Sequence, residues 1–298
     1  MSKLFIIIGL PGSGKDTFLK RHKEEGSIVL SSDDIRNELF GREEQTNNEL
    51  VFQTMNKRCK EYLKQGKTVY YNATNTNRKR RGALINEMKP YTDEINAVIC
   101  LCSIGTILER NITRTQRHLP FDKLVQLIRN IDVPLYYEGY KSIIMFKTEE
   151  IGDFYFKIEE NYQQDNPHHP ETLQEHLMQV FDLVKKENKD VSLVKAACYH
   201  DIGKIYTREF NEKKGYSTYY NHEKVSAYLY MFYYTNIKEN CPFELSKEQN
   251  EIATLIYHHM DKFKRNIDKT KELIGEETFK KLEILIKADN FRKSVDNQ

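Results

Sequence analysis

No stretch of the chain approaches the roughly 18 consecutive apolar residues that a membrane span needs. The apolar start, Leu4–Ile8, is too short for a secretory leader and has no small-residue cleavage site after it. It reads instead as the first strand of a cytosolic domain, and the expected location is cytoplasmic. Cysteine is sparse. The five present (Cys59, Cys100, Cys102, Cys198, Cys241) include no CxxC pair, and their odd number argues against a disulfide framework. They are expected to be reduced thiols. No charge of one sign dominates: 46 Lys and Arg stand against 44 Asp and Glu, a net of +2. A whole-chain sum this small conceals local fields, and only clusters such as Arg78-Lys79-Arg80-Arg81 and the arginines at 110, 114 and 117 carry a signal. Internal repeats and low-complexity segments are also missing, so neither a solenoid nor a disordered chain is indicated.

What is present is a globular pattern of 39% hydrophobic and 30% charged residues, in a chain of 298 residues that is long enough for two cores. The first half alternates β-like runs (Leu4–Ile8, Ile28–Leu30, Thr68–Tyr71, Ile95–Leu101) with helical patterns, the longest from Asn48 to Gln65 before Gly66. That alternation predicts an α/β domain, a parallel sheet with flanking helices. Ser142–Phe146 and Phe154–Ile158 read as further extended segments. The aperiodic run Asn161–Pro170, with two prolines, marks the expected boundary. Helical patterns follow at about 171–187, 191–206, 222–237, 247–262 and 271–293, predicting an all-α second half. The expected domains are 1–160 and 171–298, with 161–170 as a linker.

Gly9-Leu10-Pro11-Gly12-Ser13-Gly14-Lys15-Asp16-Thr17 stands between a strand and a helix, the setting a phosphate loop requires. Glycines let backbone N–H groups turn toward a phosphate, Lys15 adds a mobile charge, and the helix N-terminus adds its dipole. Asp16 stands where Ser or Thr ordinarily offers a hydroxyl to Mg²⁺. Asp33 and Asp34 lie just past the second strand, where residues line the ligand crevice of a parallel sheet. Arg36 follows one helical turn after Asp33. Arg110, Arg114 and Arg117 share a helix face after the fourth strand, suited to phosphoryl oxygens.

In the second half, His176, His200-Asp201, His222, His258-His259 and Asp289 fall on successive predicted helices. Imidazole and carboxylate suit divalent Mn, Fe, Co, Ni or Zn, and an aspartate can bridge two ions. The pair His200-Asp201 follows small, buried-looking residues, where a helix avoids charge unless a partner is present. His168 and His169, flanked by prolines, suggest no role.

Gly9–Thr17, Asp33-Asp34-Ile35-Arg36, Ala73-Thr74-Asn75 and Arg110-Asn111 with Arg114 resemble, in order, the motifs of bacteriophage-type 5′-polynucleotide kinases. The resemblance covers about the first 150 residues. It implies that ATP or another NTP with Mg²⁺ is bound by Gly9, Gly12, Ser13, Gly14, Lys15, Asp16 and Thr17. It further implies Asp33 as general base, Arg36 as holder of the acceptor phosphate, and Arg110 and Arg114 as stabilisers of transferred charge. His176, His200-Asp201-Ile202-Gly203-Lys204, His222-Glu223, Tyr257-His258-His259 and Lys287-Ala288-Asp289 resemble the HD superfamily of metal phosphohydrolases. By that resemblance His176, His200, Asp201 and Asp289 hold one metal, His222 with His258 or His259 a second, and Lys204 assists with substrate phosphate. Together the two resemblances imply an enzyme that heals broken nucleic-acid ends, RNA expected over DNA, by 5′-phosphorylation and by removal of 3′, 2′ or 2′,3′-cyclic phosphate. A nucleic-acid ligase and a second copy of the chain are the partners this reading allows. Two alternatives stay open: a small-molecule or nucleotide kinase fused to an HD nucleotidase, and an HD phosphohydrolase whose P-loop half only regulates.

Overall fold

The computed structural model describes residues 1–41, 47–114, 118–149, 162–235, 237–264 and 267–291. The expected strand Phe154–Ile158 and Arg117 lie outside them. The chain forms two compact units, Met1–Glu150 with Ile237–Leu245, and Ile151–Asn236 with Ser246–Gln298.

The first unit is built on β1 (Lys3–Ile8), β2 (Ile28–Ser31), β3 (Thr68–Asn72), β4 (Glu94–Leu101) and β5 (Ile143–Lys147). These five are parallel in the order β2-β3-β1-β4-β5. The central strand β1 is apolar nearly throughout because both of its faces are covered; Leu4, Ile6, Ile7 and Ile8 are fully buried. On one face Phe5 stacks on Tyr70, and Ile7, Val98 and Phe146 pack against Phe18 and Leu19. The covering helices are α1 (Lys15–His22), α2 (Ser32–Phe40), α3 (Asn48–Lys64), α4 (Arg78–Met88), α5 (Ile104–Thr113) and α6 (Phe121–Arg129). Their starts are written locally: the Ser31 hydroxyl accepts from the N–H groups of Asp33 and Asp34, and Ser103 accepts from Thr106. Gly66, at φ 74°, ends the α3 region in the left-handed conformation that favours glycine.

The second unit contains α7 (Leu173–Glu187), α8 (Val191–Tyr199), α9 (Lys204–Thr207), a hairpin of β6 (Glu209–Asn211) and β7 (Tyr216–Thr218), and α10 (His222–Tyr233). A sixth strand, β8 (Phe243–Glu244), follows in the chain but pairs antiparallel with β5, so it completes the sheet of the first unit. The helices resume with α11 (Lys247–His258), α12 (Asp261–Lys264), α13 (Ile267–Ile274) and α14 (Glu276–Asp289). Capping boxes start α7 at Thr172–Glu175 and α11 at Ser246–Gln249. An α/β domain with a mostly parallel sheet is therefore followed by a helical one, as the periodicities imply.

Two expectations need correction. The described part of 161–170 is not a free linker. Gln163 bridges to Thr172, buried Gln164 accepts from Lys204 at 2.7 Å, and Asn166 donates to the Ser217 carbonyl at 2.8 Å. Prolines and amides here satisfy a folded-back loop. The pattern expected as one helix over 191–206 is broken at 200–203 between α8 and α9.

The basic run 78–81 also divides. Arg81 is buried and grips Glu138 through two nitrogens at 2.7 and 2.9 Å, while donating to the carbonyls of Asn75, Asp132 and Val133. It fastens the segment 131–138 to the loop after β3, so it adds nothing to the surface field. Removing one member of a buried ion pair costs about 3–5 kcal/mol, because the other charge is stranded. Arg81→Met should therefore lower stability by about that amount, read as a shift of the urea midpoint; a change under about 1 kcal/mol would mean Glu138 finds another partner.

Candidate phosphate-loop and metal sites

The phosphate loop joins β1 to α1 at the carboxyl end of the sheet. Gly12 and Gly14 have φ of 87° and 95°, conformations that side chains with a Cβ rarely adopt. A Cβ on Gly9 would sit 2.3 Å from the Ser13 hydroxyl, and one on Gly14 would sit 2.1 Å from a Thr148 methyl. All three glycines of the loop are therefore there for steric or conformational reasons. The loop is tied to the segment after β3, since the Gly9 N–H donates to the Thr74 carbonyl at 3.0 Å, and Asn75 donates to the Ile7 carbonyl of β1 at 2.7 Å. Lys15 curls back to donate to the carbonyls of Gly9 and Leu10 at 3.1 and 3.0 Å. Burial lowers its ammonium below the ordinary lysine value and Arg114 pushes the same way, against the opposing fields of Cys100, Asp16 and Asp33.

A cleft of about 360 Å³ opens over this loop, lined by Gly12, Gly14, Lys15, Asp16, Thr17, Arg110, Thr113 and Arg114. Arg110 is braced by the Gly12 carbonyl at 2.7 Å and the Thr148 hydroxyl at 3.2 Å. The structure thus brings together the glycines, Lys15, Asp16, Thr17 and both described arginines. Asp16 accepts from Asn72 at 3.2 Å, at the end of β3. The Ser13 hydroxyl is fully buried with no hydrogen-bond partner among the described residues. Asp33 acts on Lys15 electrostatically from the start of α2. Buried Arg36, one turn on, donates to Asn48 rather than lining the cleft. Asn48 belongs to a second, larger hollow of about 780 Å³, rich in amides (Asn56, Asn75, Asn77, Gln126, Asn130) and walled by Phe52 and Tyr71. Sequence reasoning missed this hollow, whose amides are scattered over α3, the loop after β3 and the end of α6.

In the second unit, helices α7, α8, α10, α11 and α14 carry the expected ligands to one place. His176, His200, Asp201 and Asp289 offer donor atoms within 4.8 Å of one another, and so do Asp201, His222 and His259. Asp201 belongs to both groups. Its Oδ2 lies 3.3 Å from His176 Nε2 and 3.6 Å from His200 Nε2; its Oδ1 lies 2.9 Å from His222 Nε2 and 3.3 Å from His259 Nε2. The break at 200–203 explains how neighbours converge. On a continuous helix adjacent side chains splay by about 100°, whereas the turn after Tyr199 lets His200 and Asp201 face one centre. Gly203 permits the packing: a Cβ there would lie 2.3 Å from the His222 carbonyl, inside the start of α10.

The protons can be assigned from partners. Nδ1 of His200, His222 and His259 faces the carbonyls of Ala197, Tyr219 and Ile256 at 2.9, 2.7 and 2.7 Å. A carbonyl only accepts, so each Nδ1 carries the proton and each Nε2 presents a lone pair. Two of those lone pairs meet, His222 and His259 Nε2 being 3.1 Å apart, and His200 Nε2 lies 3.3 Å from His176 Nε2. Lone pairs at such distances, beside two carboxylates, fit a cation. Asp201 Oδ1 is buried with no hydrogen-bond partner in this arrangement, which fits the same conclusion. Burial alone would raise the Asp201 carboxyl, but Lys204, His200, His222 and His176 hold it well below the usual carboxylate range. Asp289 is likewise held low by His176 and His200 against burial. Burial lowers His259 and keeps it neutral. Lys204 is buried and reaches Asp201 Oδ2 at 2.7 Å.

His258 is a correction. It is buried but turned away, its Nδ1 2.6 Å from Asp261, because successive residues at the end of α11 cannot face one point. Of the adjacent pair, only His259 joins the cluster. Two residues without an expected role lie beside it: Glu171 is 3.1 Å from His176 Nδ1, and His169 packs edge-on to the His176 ring at 4.9 Å. They line a pocket of about 340 Å³ together with His168, His176, Asp289 and Phe291.

Residues 4–134 match the family model described as AAA domain, and residues 173–293 match the one described as HD domain. The chain is a kinase-like P-loop domain followed by an HD domain. No curated protein matches it. Similar solved structures include one of the Pnkp1/Rnl/Hen1 complex (23% identity over 41% of this chain and 42% of that one, TM-score 0.34). Another is of the Pnkp1/Rnl/Hen1 RNA repair complex (21%, 42% and 42%, TM-score 0.39). A third is a sugar kinase from Janibacter sp. HTCC2649 (16%, 49% and 85%, TM-score 0.34). The chain spans about two-fifths of the length of the first two. No helix among the described residues is long and apolar enough to cross a membrane.

One pH dependence follows. Burial opposes charge on His176, but Asp201, Asp289 and Glu171 prevail and push it up to about 10 without a cation. A divalent ion must displace that proton, so binding releases it, and affinity rises with pH. Between pH 6 and 9 the affinity for Mn²⁺ should climb by up to about tenfold per pH unit, with proton release visible by calorimetry in buffers of different ionisation heat. A flat profile would place His176 outside the coordination sphere.

Proposed function

We propose that the chain heals nucleic-acid ends, its P-loop half phosphorylating a 5′-hydroxyl and its HD half removing a terminal 3′, 2′ or 2′,3′-cyclic phosphate. One observation carries the reading. A single chain holds a lysine- and arginine-lined cleft over a phosphate loop and, in its other unit, an imidazole–carboxylate cage shared through Asp201. The first is suited to moving a phosphoryl group and the second to releasing one.

In the P-loop half the backbone of Gly9–Gly14 and the Lys15 ammonium hold donor phosphates, and Arg110 and Arg114 take up charge spread over the phosphoryl oxygens as it moves. A bound nucleoside triphosphate with Mg²⁺ supplies that group; Asp16 stands at the usual metal-side position, steadied by Asn72. Asp33 accepts the proton of the attacking hydroxyl. Arg36 anchors the acceptor side by way of Asn48, and the amide-rich hollow that Asn48 borders accommodates the acceptor end, because amides and aromatic walls suit sugar and base edges. RNA is the favoured acceptor, a ligase the consumer of the healed ends, and a second copy of the chain an allowed partner.

In the HD half, His176, His200, Asp201 and Asp289 would hold one divalent ion and Asp201, His222 and His259 a second. Mn, Fe, Co, Ni or Zn suits these donors better than Mg²⁺, and bound ions would activate a water and stabilise charge on the phosphoryl oxygens. Lys204 holds the Asp201 carboxylate in place and offers positive charge toward the substrate phosphate.

The two reactions should separate by mutation. Asp33→Asn should lower phosphate transfer to a 5′-hydroxyl oligonucleotide by about 10²–10⁴-fold and leave release from a 3′-phosphate oligonucleotide unchanged. Asp201→Ala should do the reverse. End-labelling and phosphate release on the same oligonucleotides read both. Hydrolysis of free mononucleotides alone would favour a nucleotidase, and loss of HD activity in Lys15→Ala without any kinase reaction in the parent would favour regulation by the P-loop half.

A further inference from the structure

Glu171 lies outside the ligand set, two residues before α7, in the segment whose prolines and amides suggest only a connection. Its carboxylate nevertheless sits between two imidazoles. Oε1 is 3.1 Å from Nδ1 of His176 and 3.7 Å from Nδ1 of His169. The other three histidines of the cage lock Nδ1 onto a backbone carbonyl three residues earlier in the chain. His176 does not: the residue three before it is Leu173, in the first turn of α7, and its Nδ1 meets Glu171 instead. The fourth imidazole needs an acceptor from elsewhere, and Glu171 is that acceptor.

We propose that Glu171 is a positioning residue for the metal centre. By taking the Nδ1–H of His176 it fixes the tautomer and ring angle that aim the Nε2 lone pair at Asp201, Asp289 and the Nε2 of His200. The inference rests on the HD half binding a divalent ion, and it goes beyond the ligand set. His169, Glu171 and His176 are themselves close enough to hold a cation. That would require Nδ1 of His176 as donor while its Nε2 serves the inner group, a bridging imidazolate, whereas a carboxylate within hydrogen-bond distance is satisfied by the neutral ring. The Glu171 backbone is in turn held from behind. Gln164 donates to the Glu171 carbonyl at 3.2 Å and accepts from Lys204 at 2.7 Å, and Lys204 reaches Asp201. The chain of contacts leaves Asp201 and returns to the cage through His176, so Glu171 is fixed relative to the ligand it orients. His169 closes the pocket side, ring edge against ring.

Loss of an outer hydrogen-bond partner of a ligating histidine typically costs about 10–100-fold in metal affinity. Glu171→Ala should weaken Co²⁺ or Zn²⁺ binding to the full-length protein by about that factor. Glu171→Gln, whose amide oxygen can still accept Nδ1–H, should recover most of the loss. Affinity is read by competition with a chromophoric chelator, and the Co²⁺ visible spectrum reports any change at the ion. In the Zn²⁺-loaded parent, ¹⁵N NMR should show Nδ1 of His176 protonated and its exchange slowed, a readout that holds even where a variant fails to fold. Parental affinity in Glu171→Ala, or a His176 with bare Nδ1, would overturn the proposal, and a third equivalent of metal lost with Glu171 would replace it with a cation site. A parent that binds metal but leaves 3′-phosphate ends intact removes the end-healing reading and leaves this one standing; a parent that binds no metal removes both.

Discussion

Everything in the HD half is arranged around the difficulty of keeping one carboxylate, Asp201, out of water. A buried charge is costly unless it is paired on every side. Here Oδ2 has Lys204 and His176 as partners with His200 beside them, whereas Oδ1 has no hydrogen-bond partner and faces the Nε2 lone pairs of His222 and His259. Those partners arrive from four helices and a turn, so the bundle cannot be drawn together without also assembling the cage. The break between α8 and α9 and the glycine under α10 serve that gathering, the first by turning His200 and Asp201 to one centre and the second by letting the start of α10 approach. A site with this origin costs stability where function needs it, since the same lone pairs that would hold an ion repel one another without it.

The P-loop half meets the opposite problem, holding negative charge that arrives from outside. Its answer is mostly backbone. Glycines with left-handed φ or no room for a Cβ turn N–H groups toward the cleft, and the segment after β3 pins the loop from behind through the Thr74 carbonyl. Side chains add only point charges, and these are poised rather than paired: Lys15 rests on carbonyls, and Arg110 on Gly12 and Thr148. Weakly engaged cations of this kind can be exchanged for phosphate oxygens without breaking a salt bridge.

How much of this was legible in the sequence depends on how local each feature is. The phosphate loop and strands β1 to β4 are short-range patterns, and glycine spacing or β-branched runs announce them. The α/β-then-helical order and most of the metal cage were legible too, since a histidine inside a helical pattern needs a partner. The choice between His258 and His259 was not, because it depends on the rotational phase of α11 near its end, where one residue turns to Asp261 and the next to Asp201. Arg81 reads as one basic residue among four, and only the fold shows that its neighbours stay outside while it is enclosed by Glu138. Glu171 and His169 hid behind two prolines. The available signal was a carboxylate five residues ahead of a ligand histidine, which means little until the loop is seen to fold back.

The pairing of β8 with β5 has a consequence for synthesis. Residues 237–245 complete the edge of the first sheet, yet in the chain they fall between two helices of the HD half. On a ribosome, the outer edge of β5 is therefore exposed until most of the HD sequence has been translated, an open edge of the kind that invites pairing with other chains. The N-terminal unit is finished late, by a segment that belongs in sequence to its neighbour, and the gene cannot be divided at any single codon into two complete halves.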